Sequence, residues 1–470
     1  MIVVEFNELS PRLMERFIAE GDLPNFQRLQ QASVVCLTDA EEEVPALEPW
    51  IQWVTVHTGK GYAEHKVFEH TDGAKYKGGR IWDMLSDAGR PVWICGSMNS
   101  AVRGGAINGY VLPDPWAEGV TPLPTGEFEA YHHFVSTYVK EHASAKVPLT
   151  PADYLRFGWF MATHGLSART VFAATRQLLA ERRKDVHWAR ALIMDHLQLD
   201  LFKHYWKKSK PQFSTFFLNS TAHFQHFHWR EMEPELFDVK PSKEAEAAYA
   251  DAIRTGYRNM DALLGEILAM GGEDATVVFA TGLSQQAMVN YEETGGKLLY
   301  KPHDPAWLAT YAVLDEPFTV LPAMSNQYYL AFATPEAAAR QAEKLERLTV
   351  SDGRPLLFVR PNEEKVSITA FPLSMVAEDL RLHSPVSNET PLFNDVFFPV
   401  GLRSGWHHPE GMLWIRTPGQ APGAVARKVS LREIAPTLMA LCGVEPSREA
   451  FDFPPLPEIV LPRPSLKAAA

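Results

Sequence analysis

The side chains best equipped for chemistry are histidines, gathered in two phrases. One is Thr221-Ala222-His223-Phe224-Gln225-His226-Phe227-His228-Trp229, and the other is Gly405-Trp406-His407-His408-Pro409-Glu410-Gly411. Imidazole ligates borderline cations such as zinc and carries protons near neutrality. His223, His226 and His407 with one oxygen donor would complete a four-coordinate centre. The plainer reading makes them hydrogen-bonded polar residues among aromatics. Arg230 and Lys75 are candidates for anion contact. Asp114, between Pro113 and Pro115, reads as part of a rigid turn.

These residues need elements to hold them. Residues 2–6 form a short apolar run of strand type, followed by Asn7-Glu8-Leu9. Ser10 is a good N-cap and Pro11 suits the first helical position, while Leu13, Met14, Phe17 and Ile18 recur at helical spacing up to Gly21. Strand, polar turn, helix is how a parallel α/β sheet begins. The pattern predicts a helix at 81–85, buried strands at 92–95, 213–218, 276–280 and 412–415, a long helix over 242–270, and a helix at 431–441 interrupted by Pro436. Two stretches depart from simple alternation. Residues 115–210 carry helical pattern, including 174–183 and 186–204, and read as a helical insertion. Residues 300–395 combine strand signals at 327–332, 356–359 and 366–371 with a helix at 335–347, which predicts a small α+β cap. The core would thus span 1–299, and 396–470 would return to it before ending in a Pro-rich extended tail with Pro454, Pro455, Pro457 and Pro462.

Composition sets bounds on function. The chain of 470 residues is 46% hydrophobic and 22% charged, which fits a globular protein. No run approaches the roughly eighteen apolar residues of a membrane span. The start, Met1-Ile2-Val3-Val4-Glu5-Phe6, reads as a strand rather than a signal peptide. Three widely spaced cysteines, Cys36, Cys95 and Cys442, predict reduced thiols and a cytoplasmic protein. The net charge of -12 argues against nonspecific nucleic-acid binding but leaves room for a small anionic ligand and for self-association.

In order along the chain, several phrases resemble the alkaline phosphatase superfamily, in particular its type I phosphodiesterase/nucleotide pyrophosphatase-like members. Gly405-Trp406-His407-His408-Pro409-Glu410-Gly411 is similar to the family's Gly-x-His-x-Pro-Glu-Gly element, and Ile434-Ala435-Pro436-Thr437-Leu438 with Leu441-Cys442-Gly443-Val444 to its closing helix. Gly21-Asp22-Leu23-Pro24-Asn25-Phe26 resembles the exit from the first helix. Thr58-Gly59 resembles the turn after the nucleophile. The resemblance implies a three-layer α/β sandwich around a mostly parallel sheet, with hydrolysis of phosphate or sulfate esters as the activity. It makes His407 a metal ligand, with His408 beside it as a further candidate.

The departures fall on the chemistry. Asn7 stands where the family has its first Asp, an amide oxygen in place of a carboxylate. Glu48 or Pro49 falls at the nucleophile position, and Thr55 is the nearest hydroxyl. Thr281-Gly282-Leu283-Ser284 replaces Ser-Asp-His-Gly, so two ligands of one cation are absent. Asn219-Ser220-Thr221-Ala222-His223 keeps the family spacing with Asn for Asp, and a second register uses His226 before Trp229. A two-metal centre is therefore not expected. One divalent cation, zinc by donor type, is expected on His407 with His223 or His226, and with Asn219 in the first register. Glu48 could serve as its oxygen donor, as a base for water, or as a carboxylate nucleophile. Glu5 and Glu8 flank Asn7 and could contribute, whereas Trp50 and Trp53 read as core or cleft wall. A divergent esterase with a reduced metal site and a catalytically inactive binding or regulatory module both fit these substitutions. Phosphoryl-carrying isomerase or transferase chemistry fits less well.

Overall fold

The computed structural model describes residues 1–143, 149–182, 186–322, 326–371 and 374–459. Its centre is a mixed, mostly parallel sheet. Strands β1 (Ile2–Phe6), β2 (Val34–Asp39), β3 (Val92–Cys95), β4 (Gly109–Leu112), β5 (Phe213–Leu218) and β6 (Val277–Ala280) belong to it, with the late strand Glu410–Arg416. The spatial order runs Gly423–Ala424, β2, Glu410–Arg416, β6, β1, β5, β3, β4. β1 pairs in parallel with β5 and β6, while Glu410–Arg416 lies antiparallel between β2 and β6.

Both faces of the sheet are covered, so its central strands are buried throughout and mostly apolar. Val4 and Phe6 of β1 face a core built with Leu13, Phe17, Tyr257, Met260 and Phe202. Val3 faces the opposite core, with Trp53, Trp82, Ile94 and Leu438. Helix, sheet, helix is the three-layer α/β sandwich that the sequence predicts. A third apolar cluster, including Tyr328, Leu330, Leu345 and Ile368, joins a four-stranded antiparallel sheet to the helix Pro335–Glu346. Among its described residues, the segment 115–209 adds α-helices Glu129–Ala143, Pro151–Thr163, Ala168–Ala180 and Arg190–Ser209.

Two expectations are refined by local physics. The helix predicted over 242–270 is two, Lys243–Tyr249 and Ala252–Gly271. Pro436 does not interrupt its helix, because Ile434–Leu441 starts only two residues earlier and Pro436 sits in the first turn, where the backbone N–H has no intrahelical acceptor. At the C-terminus, Phe451, Leu456 and Ile459 are buried in the second core, and Leu456 N donates to Thr437 Oγ1 at 2.9 Å. Pro462 lies outside the described residues. No helix among the described residues is long and apolar enough to cross a membrane.

Candidate functional site

The carboxyl ends of β1, β5 and β6 converge, and the backbone there is stitched together. Asn7 N donates to Leu218 O at 3.0 Å and Glu8 N to Thr281 O at 3.1 Å. Ligands of open α/β sheets sit at such strand ends. Glu8 adopts a left-handed backbone, φ 60°, uncommon for a residue with a Cβ. Held that way, its carboxylate is buried and receives Asn7 Nδ2 at 2.7 Å on Oε1 and Gln285 Nε2 on Oε2. Gln225 Nε2 fixes the Glu8 carbonyl at 2.8 Å and is itself oriented by Tyr257.

Two imidazoles face the same carboxylate oxygen. His226 comes from the helix Ser220–Met232, with Nε2 3.3 Å from Glu8 Oε2. His407 comes from the strand Gly405–His408, with Nε2 3.6 Å away. The strand approaches the helix so closely that a Cβ on Gly405 would lie 2.1 Å from the Gln225 carbonyl, so only glycine fits. That approach also lets His226 Nδ1 donate to Gly405 O at 3.0 Å, which leaves Nε2 with its lone pair toward Glu8. Burial first, then Arg403, hold the His226 imidazolium form far below its ordinary range. His407 is pushed down to about 4, by burial above all. Burial thus favours the neutral form of both imidazoles, the form that binds metal.

Glu8, His226 and His407 offer ligating atoms within 4.8 Å of one another, the one cluster of this kind among the described residues. Donors held about 2.0–2.1 Å from a tetrahedral cation are separated by roughly 3.4 Å. The two imidazole–carboxylate separations bracket that value, so Glu8 and the two imidazoles are placed to share one divalent cation. Glu48 lies behind this cluster. Its Oε2 is 3.4 Å from His407 Nδ1, the nitrogen turned away from Glu8. Burial, with Glu8 adding to it, pushes Glu48 up to about 8. The position resembles the outer carboxylate that orients a ligating histidine. Arg403, buried against the Phe227 ring at 4.7 Å, and Lys297, 3.8 Å above Trp406, complete the surroundings.

The other sequence candidates are placed as follows. Asn7 is fully buried; its Oδ1 accepts Trp53 Nε1 at 2.7 Å and its Nδ2 donates to Asn219 Oδ1 at 2.7 Å as well as to Glu8. It orients Glu8 and offers no free oxygen. Asn219 Oδ1 is likewise engaged, by Asn7. His223 lies one turn before His226, keeps solvent exposure and packs on Phe227 at 4.9 Å between centroids, outside the three-residue cluster. His408, next along its strand, alternates to the other face, where Nδ1 accepts Glu410 N at 3.2 Å. Thr55 Oγ1 is turned to His65 Nε2 at 3.2 Å. Glu5 is bound to His57 and Ser97 at 2.8 and 2.6 Å. Arg230 is locked on Glu292, and Lys75 on Asp72 and Glu363. Asp114 caps Asn99 N and Trp116 N, both at 3.0 Å, as a turn residue does. Lys297, Arg403 and Gln285 had no motif to announce them; only the pairing of distant strands brings them in.

No family model matches the chain, and no curated protein sequence does. Solved structures with a similar course include human ectonucleotide pyrophosphatase/phosphodiesterase 5, at 9% identity, 95% of this chain, 96% of that one and a TM-score of 0.43. Phosphonoacetate hydrolase from Sinorhizobium meliloti 1021 is similar at 12% identity, 92% and 93% coverage and a TM-score of 0.37. Wild-type alkaline phosphatase PafA is similar at 12% identity, 98% coverage of both chains and a TM-score of 0.43.

Proposed function

We propose that the chain is a hydrolase of small anionic esters, phosphate or sulfate, working with one divalent cation held by Glu8, His226 and His407. The observation that carries the reading is the convergence of these three side chains, from three separate stretches of sequence, on one point at the strand ends. Two imidazoles and a carboxylate favour zinc. Three protein ligands leave a position open, as catalytic rather than structural sites do. The His407 phrase, similar to the alkaline phosphatase superfamily element, supports the same assignment.

When bound, such a cation supplies Lewis-acid polarisation of an ester oxygen. The chain's own groups account for the rest. Arg403 and Lys297 draw the anionic group into the site. Asn7 and Gln285 keep the Glu8 carboxylate from rotating. Glu48 keeps its proton at neutral pH and, beside His407 Nδ1, holds that imidazole so that Nε2 is turned toward Glu8. With Thr55 turned to His65, no hydroxyl nucleophile enters the scheme. That same absence favours the second reading, a module that binds an anionic ester without turning it over.

Elemental analysis of protein purified without added metal is the deciding measurement, run beside hydrolysis of 4-nitrophenyl phosphate, its bis ester and 4-nitrophenyl sulfate. The expected result is about one zinc per chain and turnover lost on Glu48→Gln. Folded protein free of transition metal would sink the hydrolase. Metal without turnover of any ester would leave the binding module.

A further inference from the structure

The helical insertion is built in two layers. The helices Glu129–Ala143 and Arg190–Ser209 run antiparallel, with Phe128 on Tyr205 at 4.7 Å between centroids near one end and Tyr138 beside Arg190 toward the other. Phe202 meets Phe216 of β5 at 5.0 Å and Phe128 meets Trp93 of β3 at 5.5 Å, so this pair is the inner layer on the sheet. The helices Pro151–Thr163 and Ala168–Ala180, joined by the turn 164–167, lie on that pair. Phe157 stacks on Phe134 at 4.0 Å, Ser167 N donates to Asp200 Oδ2 at 2.8 Å, and Glu181, just past the second helix, binds Arg190.

An outer layer ordinarily turns polar residues to water, and this one does not. Leu155 and Trp159 on its first helix are 75% and 74% exposed, and Phe172 on its second is 70%. Tyr154, Val171, Leu178 and Leu179 are about half exposed. Positions 171, 172, 175, 178 and 179 recur as one face of an α-helix. Aromatic side chains bury about 150–250 Å² each, so at these exposures the seven residues leave on the order of 800 Å² of apolar surface open. The largest apolar patch of a monomer is about 300–600 Å², whereas each partner in a stable complex buries about 800 Å².

Charge decides what covers this face. Residues 151–180 contain no Lys and no Glu, types depleted in protein interfaces, where aromatic residues and Arg are enriched. Asp153 is taken up by Thr150 at the helix start, and Arg169 by Glu266. That leaves Arg156 and Arg176 as exposed charges outside any ion pair among the described residues. Recruitment to anionic lipid takes a cluster of about four to eight basic residues, and the chain's net charge of -12 opposes it. Two guanidinium groups suit an aromatic surface instead, because they stack on rings. We propose that Pro151–Thr163 and Ala168–Ala180 are the interface of a two-fold homodimer, in which the outer helix layers of two copies pack face to face.

Sedimentation velocity on the full chain, from nanomolar to micromolar concentration, is the test. At micromolar concentration the mass should be twice the 52.7 kDa of one chain. Trp159→Glu and Phe172→Glu, each present twice across the two-fold axis, should each weaken association by at least about a hundredfold. Met375→Glu alters an equally exposed side chain next to Val376 of the third apolar cluster, and should leave the mass unchanged. Circular dichroism checks the fold of each variant; if one misfolds, the other decides together with Leu155→Gln. A monomer at every concentration overturns the proposal, as does a dimer that persists in the folded Trp159 and Phe172 variants or is lost in Met375→Glu. A monomer that floats with phosphatidylcholine–phosphatidylserine vesicles, and no longer does so as Trp159→Glu, also overturns it and assigns the two helices to a lipid surface. Ester hydrolysis and metal content play no part in this readout, so failure of the hydrolase would leave the dimer standing.

Discussion

Replacing Asn7 by Asp puts a carboxylate at the end of β1, and the geometry says it will destabilise the protein. Asn7 is fully buried; its amide donates to Glu8 Oε1 and Asn219 Oδ1, while its oxygen accepts from Trp53. An ionised Asp would turn an oxygen on two acceptors, one of them a carboxylate oxygen 2.7 Å from the present nitrogen. At an effective dielectric of about 20, two unit charges that close repel by roughly 6 kcal/mol, so taking up a proton is the cheaper course. Holding an Asp protonated costs about 4 kcal/mol at pH 7 and about 1.5 at pH 5, from an ordinary pKa of about 3.9. The protonated acid donates one hydrogen bond where the amide donates two, which adds about 1 kcal/mol. The variant should therefore be less stable than wild type by about 5 kcal/mol at pH 7 and about 2.5 at pH 5. The sign follows linkage: a carboxyl with a raised folded pKa carries no penalty below its unfolded pKa and a growing one as pH rises. The assay is urea unfolding followed by tryptophan fluorescence, wild type beside variant at both pH values, with chelator present so that no cation offsets the charge. A variant within about 1 kcal/mol of wild type at pH 7, or a gap that does not narrow toward pH 5, would refute this account of Asn7.

Three further outcomes follow from neighbouring geometry. His407→Ala should abolish stoichiometric metal while His408→Ala leaves it intact, because the His408 side chain turns to Glu410 N on the other face of the strand; elemental analysis of the pair tests this. Burial pushes Asp195 up to about 7 against hydrogen bonds from Ser220 and Asn259, so ionising it costs stability as pH rises from about 4 through 7. Asp195→Asn should match wild type near pH 4 and exceed it by a growing margin toward pH 8, read as melting-temperature differences that widen with pH. Tyr329 donates to Glu69 Oε2 at 2.7 Å between the small antiparallel sheet and the core, and Glu69 is already raised by burial. Tyr329→Phe should cost about 1.5–3 kcal/mol, with thermal unfolding as the check.

What the sequence makes legible here is whatever depends on local pattern. β1, β3, β5 and β6 are short apolar runs closed by polar turns, and Pro11 and Pro335 mark helix starts because they sit where no N–H is needed. The halving of the 242–270 helix was not legible, since residues 250 and 251 carry no breaker. Within the site, His407 could be singled out by its phrase and His226 by its position in a dense run of imidazoles. Nothing local separates His223 from His226, which lie three residues apart on one helix; the close approach at Gly405 decides which of them meets His407. Glu8 appears in sequence only as a neighbour of Asn7, because its role depends on a left-handed backbone and on bonds from Gln225 and Gln285, more than two hundred residues away. Lys297 and Arg403 are legible only as a register pair, which no single stretch of sequence contains.

The residues at positions 7, 53 and 282 form one consistent arrangement. Gly282 sits at φ 70° with the Trp53 ring so near that a Cβ would stand 3.1 Å from it. A ligating side chain at 282 and an indole at 53 are therefore alternatives. With the indole present, its N–H takes the Asn7 oxygen, and the Asn7 amide is then obliged to turn its NH2 group toward Glu8 and Asn219. A carboxylate at position 7 would have suited a second cation's charge and, without that cation, would only repel Glu8. Trp53, Asn7 and Gly282 thus favour the same state: a neutral, packed half beside a charged half with one carboxylate and two imidazoles. A second cation beside Glu8 would require changing all three together, because any one substitution alone leaves either a buried like-charge pair or an indole close to a ligand.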